Sequence, residues 1–309
     1  MATNAQIRQQ VTDTIVRGLV DGGIAPWRQP WINDSAAGFP CNVVSKRNYS
    51  GINPLLIELH RRAHNLTSRF YGTFQQWKKL GGVVKKRPAD VPRGEWGAQV
   101  ICCKPVTKKP KHDGEEPESY MLLKTYTIFS ADQVEGDHLN HLRVGHATNP
   151  RSTFGIHEDA DAAFSATNAD IRHGGNKAYY CPTNDFIQMP HRHQFEGSTY
   201  YETLAHELCH WTGHASRLNR NGENHNYAFE ELIAEIGSCY LCAELSIPVE
   251  TEASVSYLDS WLDGMRSDSS FLMAATSQAS KACDHILSYS RQQTDTPEPV
   301  VTEASLCPF

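Results

Sequence analysis

His206-Glu207-Leu208-Cys209-His210 places two imidazoles four residues apart with a carboxylate beside the first. On an α-helix, positions i and i+4 share a face, so both rings can converge on one divalent cation while Glu207 flanks it. A cation held this way lowers the pKa of a bound water toward ~7, and Glu207 can take the released proton. The chemistry expected is metal-assisted hydrolysis, with His206 and His210 as ligands and Glu207 as general base. Zn²⁺ is the expected metal and Mn²⁺ the alternative.

A hydrolytic site of this kind needs a third protein ligand and an open position. Downstream, NYAFEELIAEIGSCYLCAELSIP reads as one helix ending at Pro248, with Glu231, Glu235, Ser238 and Cys242 on one stripe. Two carboxylates on a mostly apolar helix are costly to bury unless they are paired or bind a metal. Glu231 follows His210 by 21 residues, a spacing similar to that of glutamate-ligand zincins, in which an acidic residue four positions later orients a histidine. Glu231 is therefore the expected third ligand and Glu235 its support, with the reverse assignment left open. Tyr227 is a candidate oxyanion donor. Competing readings are a solvated Glu230/Glu231 face, or His214, His225 or the histidines of DHLNHLRVGH as ligands. Ser216 stands where a metzincin pattern would need its third histidine. Cys239-x-x-Cys242 and Cys209 read as core packing.

These groups need elements to hold them. The motif lies on a helix over 200–212, with Thr199 and Glu202 as a capping box and Gly213 as its stop. Helices are expected at 227–246 and 254–287, a strand pair or edge strand within KAYYCPTNDFIQMP, and a tail over 291–309. In the first half, Ile7, Val11, Ile15 and Leu19 form the apolar stripe of a helix closed by Gly22-Gly23. Asn53 is a cap, with Pro54 at the first helical position. AQVICC (98–103) and YMLLKTYTIF (120–129) read as antiparallel strands joined by a charged loop. The fold class is α+β in two domains, 1–145 and 150–290.

The charge divides along the same line. Residues 1–145 hold 20 Lys+Arg against 13 Asp+Glu, and residues 146–309 hold 9 against 22. A basic half suits a polyanion. It also mixes cations with aromatic rings, and cations following phosphates while rings stack on bases suit single-stranded nucleic acid. The candidate contacts are Trp27, Arg28, Trp31, Lys46, Arg47, Tyr49, Trp77, Lys78, Lys85, Lys86 and Arg87, with Phe70, Tyr71, Phe74 and Trp96 nearby. Nothing in the sequence resembles a helix-turn-helix or a zinc finger. The chain of 309 residues has 39% apolar residues and nine cysteines without framework spacing. No membrane span or signal peptide is expected, and reduced thiols in a cytoplasm are.

PWRQPW, SKRNYSGINPLL, WKKLGGVVKKR, AYYCPTNDFIQMP, YYETLAHELCHWTGHASRL and YAFEELIAEIG together resemble the plasmid and phage antirestriction proteins of the ArdC type. The resemblance runs in order from about residue 5 to residue 287. It implies an N-terminal single-stranded DNA-binding domain joined to a C-terminal zincin-like metalloprotease domain. It also implies a role in protecting incoming DNA from host restriction; a protein of the host restriction machinery is the candidate substrate. The alternative is a DNA-coating protein whose metal site is structural.

Overall fold

The computed structural model describes residues 3–22, 38–107, 119–143, 157–220, 227–249 and 258–294. Helix α1 (Asn4–Gly22) buries Ile7, Val11 and Ile15 of the expected stripe. A short strand β1 (Cys41–Asn42) precedes helix α2 (Asn53–Ala63), which has Pro54 in its first turn. Asn53 does not cap this helix. Its amide donates to the Ile101 carbonyl at 2.9 Å and its carbonyl accepts from the Ile101 N–H at 2.8 Å. A local cap is thus replaced by a link to a distant strand.

Strand β2 (Phe70–Thr73) runs into helix α3 (Phe74–Lys79), which Thr73 and Gln76 close with a capping box. Strand β3 (Val83–Val84) follows, and then the long hairpin of β4 (Ala98–Thr107) and β5 (Ser119–Ser130). Their register holds from Ala98↔Ile128 to Thr107↔Ser119, so both strands are longer than expected. The sheet order β1-β2-β5-β4 leaves β4 at the edge, where Pro105 can sit without removing a ladder bond. The joining residues 108–118 lie outside the described residues. Strand β6 (Val134–Glu135) pairs with β3.

The second half starts with helix α4 (Glu158–Ala166) and a sheet of β7 (Asp170–His173), β8 (Tyr179–Cys181) and β9 (Phe186–Met189) in the order β7-β9-β8. The expected strand pair is β8 and β9, antiparallel, with β8 at the edge. Strand β7, Asp-Ile-Arg-His, has no apolar run and was not legible. Helices α5 (Thr199–Thr212), α6 (Tyr227–Glu244), α7 (Leu258–Ser267) and α8 (Phe271–Thr294) complete the chain. The single helix expected over 254–287 is two. Asp268 separates them, its carboxylate accepting from the Ser270 N–H and hydroxyl at 2.8 Å. Residues 291–294 are helical where a tail was expected, and 295–309 lie outside the described residues.

The expected Thr199–Glu202 capping box does not form. Ser198 precedes α5, and its hydroxyl donates to the Pro248 carbonyl at 2.7 Å instead. Gly213 ends α5 with an ordinary φ of −73°, so its value is space rather than a left-handed turn. A Cβ there would meet the His210 carbonyl at 3.0 Å and Glu230 Oε1 at 3.2 Å.

The largest apolar cluster is shared between the halves: Ile7, Ile15, Leu55 and Leu123 belong to the same core as Leu208, Ile233, Tyr240 and Ile286. Tyr240 donates to the Gly51 carbonyl and the Gly51 N–H to Ser280 Oγ, both at 2.9 Å.

Candidate metal centre

Helix α5 lays Leu204, Leu208 and Trp211 into the core, and this turns His206 and His210 toward α6. Gly237 of α6 lets the two helices approach closely, since a Cβ there would stand 2.7 Å from Cys209 Sγ. The approach carries the first turns of α6 onto the histidines. His206 Nε2 and His210 Nε2 are 3.1 Å apart, and Glu231 lies 3.6 Å from the first and 3.5 Å from the second. Three ligand atoms on a tetrahedron around an ion bonded at ~2.1 Å stand roughly 3.4 Å apart. The donor set of two imidazoles and a carboxylate therefore fits a divalent cation in both chemistry and spacing. Among the described residues these three form the one such group found.

The surrounding groups fix the protonation. Burial works against charge on His206, but the bond to Glu231 and the charges of Glu207 and Glu235 raise its pKa. Burial likewise raises Glu231, yet His206, His210 and a hydrogen bond from the Tyr227 hydroxyl bring it below the usual carboxylate range. Glu207 is buried, and that burial outweighs the two histidines and the Tyr180 backbone N–H to raise its pKa. A raised carboxyl beside the ligands suits a group that takes and returns a proton.

Glu235 sits one turn beyond Glu231, buried and near enough to act on His206. The carboxylate beside His210 Nδ1, at 3.6 Å, is Glu230. It is held by Arg220, whose Nη2 donates to Glu230 Oε1 and to the Cys209 carbonyl, both at 2.7 Å. This arm, Arg220 to Glu230 to His210, goes against the competing reading of Glu230 as a solvated residue. Tyr227 is 59% exposed at the cleft rim, with its hydroxyl on Glu231. His214 bonds Ser216 at 2.8 Å, and His138 and His141 bond backbone carbonyls. Cys209, Cys239 and Cys242 are buried in the core, and burial pushes the Cys209 thiol up to about 12. His225 and His146 lie outside the described residues.

The ligands face a cavity of about 470 Å³, with Ala178, Tyr179, Tyr180 and Pro182 along one wall. That wall is edge strand β8, clamped by Arg217. The guanidinium donates to Asp185 at 2.9 Å and to Tyr180 Oη at 3.2 Å, stacks 3.9 Å from the Trp211 ring, and also donates to the Trp211 carbonyl. Sequence reasoning missed both arginines. The available signal was their place, directly after the motif helix in a half with few cations.

The candidate DNA contacts divide. Trp77 is fully buried against Val43, Val134 and Leu139, and its indole N–H donates to the Phe129 carbonyl at 2.9 Å. It cannot stack on a base, because its ring fills the space between α3 and the sheet. Tyr49 is half-buried, whereas Lys46, Arg47, Lys78, Lys85, Lys86 and Arg87 are exposed. Lys85 Nζ is tied to the Asp132 carbonyl at 2.7 Å. Phe74, four residues before Lys78 on α3, is 52% exposed. Trp27, Arg28 and Trp31 lie outside the described residues.

Residues 5–129 match the N-terminal domain of anti-restriction factor ArdC, and residues 158–278 match a zincin-like metallopeptidase family. The crystal structure of the antirestriction protein ArdC from plasmid R388, in its metal-free form, superposes with a TM-score of 0.75 at 36% identity, covering 92% of this chain and 98% of that one. The chain belongs to the ArdC family. The Mn(II)-bound structure of the R388 protein matches with a TM-score of 0.69 at 34% identity, over 92% of this chain and 97% of that one. Two sequence relatives extend the family. Protein y4eC of Sinorhizobium fredii is 31% identical over 91% of this chain and 92% of its own length. DNA primase TraC of Escherichia coli is 29% identical over 94% of this chain, but the match spans only 21% of TraC. As an ArdC-family protein, the chain thus joins an ArdC N-terminal domain to a zincin-like metallopeptidase domain. No described helix is long and apolar enough to cross a membrane.

Proposed function

We propose that this chain binds single-stranded DNA through residues 1–145 and carries a zinc-dependent peptidase site in residues 150–290, protecting incoming plasmid or phage DNA from host restriction in the cytoplasm. The observation that carries the reading is Glu207, buried beside the His206, His210 and Glu231 trio and opening onto the cavity walled by β8. A divalent cation bound by that trio would polarise a carbonyl and acidify water. Glu207 would take the proton of the attacking water and return it to the leaving amine. Arg220 and Glu230 would keep the His210 ring oriented. The clamped β8 edge could align an extended peptide of a protein substrate through its backbone groups. The DNA half is supported by its excess of cations, by the exposure of Lys46, Arg47, Lys78, Lys86 and Arg87, and by the match to the ArdC N-terminal domain.

A second reading, strand coating with a structural metal, is favoured by Tyr227, whose hydroxyl is engaged by Glu231 rather than offered to an oxyanion. Glu207→Gln separates the two. Metal content, affinity for single-stranded DNA, and protection of a plasmid entering a restricting host would be measured together. Loss of protection with metal and DNA binding retained supports catalysis, and retained protection supports coating. Absence of DNA binding in the unaltered chain would remove the DNA half of both readings.

A further inference from the structure

A second cavity, of about 380 Å³, lies where the two halves meet, away from the metal ligands. One wall is the turn after β1, which presents Lys46 and Arg47, followed by Asn48 and Tyr49. The other wall comes from α6 and α8 and brings Tyr240, Glu244, Asp284 and Arg291. Arg69 stands behind Asn48: its Nη2 donates to Asn48 Oδ1 at 3.3 Å, while its Nε is buried with no hydrogen-bond partner among the described residues. Asn48 in turn donates to the Glu244 carboxylate.

Lys46, Arg47 and Arg291 line this space with Glu244 and Asp284, and Arg69 stands behind Asn48, so cations outnumber carboxylates here even though residues 146–309 are acidic. Burial raises the Glu244 carboxyl against the opposing pull of Asn48, Arg291 and Arg69. Phe39 and Tyr240 meet edge to face at 5.2 Å but are buried in the core, so the ring that reaches this space is the half-buried Tyr49. The volume lies at the lower end of small-ligand pockets. Cations for the phosphate and an aromatic side chain for the base are what a single nucleotide unit requires.

We propose that this junction cavity binds one nucleotide with its phosphate, as a unit of single-stranded DNA, with Arg291 of α8 contributing a phosphate contact alongside Lys46 and Arg47. The inference rests on the DNA reading above and adds the C-terminal half to the strand's path. The strand is then held by both halves at once. Its phosphate lies among the cations and its base against Tyr49.

The test uses the full chain, with anisotropy of a fluorescein-labelled oligo(dT) at several salt concentrations, for the unaltered protein, Arg291→Ala and Asp284→Asn. The expected result is about tenfold weaker binding for Arg291→Ala, with a salt slope shallower by about 0.7, and severalfold tighter binding for Asp284→Asn. The gain in the second variant is a change that partial unfolding would not produce. If the unaltered chain binds and both variants match it in affinity and slope, the cavity inference is overturned while the DNA reading stands. If the unaltered chain does not bind the oligonucleotide, the DNA reading falls, and calorimetric titration with thymidine monophosphate decides the cavity. Heat abolished by Arg291→Ala then assigns it to free nucleotides, and absence of heat overturns it.

Discussion

At the residue scale, the metal site depends on groups that touch no metal. Arg220 and Glu230 are 5% and 8% exposed in their side chains, so each charge relies on the other. Removing one partner of such a pair costs about 3–5 kcal/mol, because the remaining charge is left buried. Arg220→Met is therefore expected to destabilise the chain by that amount in denaturant unfolding, and to weaken metal binding ~10–100-fold in a metal titration. Adding Glu230→Gln should recover most of the stability but not the metal affinity. Recovery of both would show that the arm to His210 has no orienting role.

At the element scale, the site exists because α5 and α6 approach closely, and Gly237 sets that distance. Gly237→Ala would drive a methyl against Cys209 Sγ, at a cost of about 1–3 kcal/mol in thermal unfolding. Cys209→Ala, added to it, should relieve most of the loss by making room. Helix α2 carries a different sensitivity. Burial, and then the charge of neighbouring His64, holds the His60 imidazole down to about 4. Unfolded histidine titrates near 6.5, so between these values the unfolded chain binds the proton and the folded one does not. Stability is complete above about pH 6.5 and falls as the pH drops toward about 4, by on the order of 3 kcal/mol from this residue. His60→Asn should flatten that part of the curve of unfolding free energy against pH. An unchanged slope would remove His60 as its source.

At the scale of the molecule, the two halves differ in charge but share a core. Ile15, Leu55 and Leu123 pack in the same cluster as Tyr240 and Ile286. Truncation after residue 145 would expose that apolar surface, so the fragment should show more dye-binding hydrophobic surface and less cooperative unfolding than the full chain. A fragment unfolding as sharply as the whole would show that the shared core adds little. The same continuity puts a basic turn of one half against a helix end of the other, and the junction cavity depends on it.

The sequence by itself determined the groups that local periodicity brings together. His206 and His210 share a helix face because they are four residues apart, the four-residue spacing of Ile7, Val11 and Ile15 marks the buried stripe of α1, and the alternating apolar residues of β8 and β9 mark strands. These follow from spacings within one element, which the backbone fixes wherever the element sits. Tertiary structure decided everything that needed two elements at a known distance. It brought Glu231 between the histidines, placed Glu230 and Arg220 behind His210, buried Trp77, redirected Asn53 from a cap to Ile101, and joined Lys46 and Arg291 across one cavity. Burial and long-range pairing depend on how faces pack, and a charged or aromatic residue has the same identity in the sequence whether it meets water, a core or a partner.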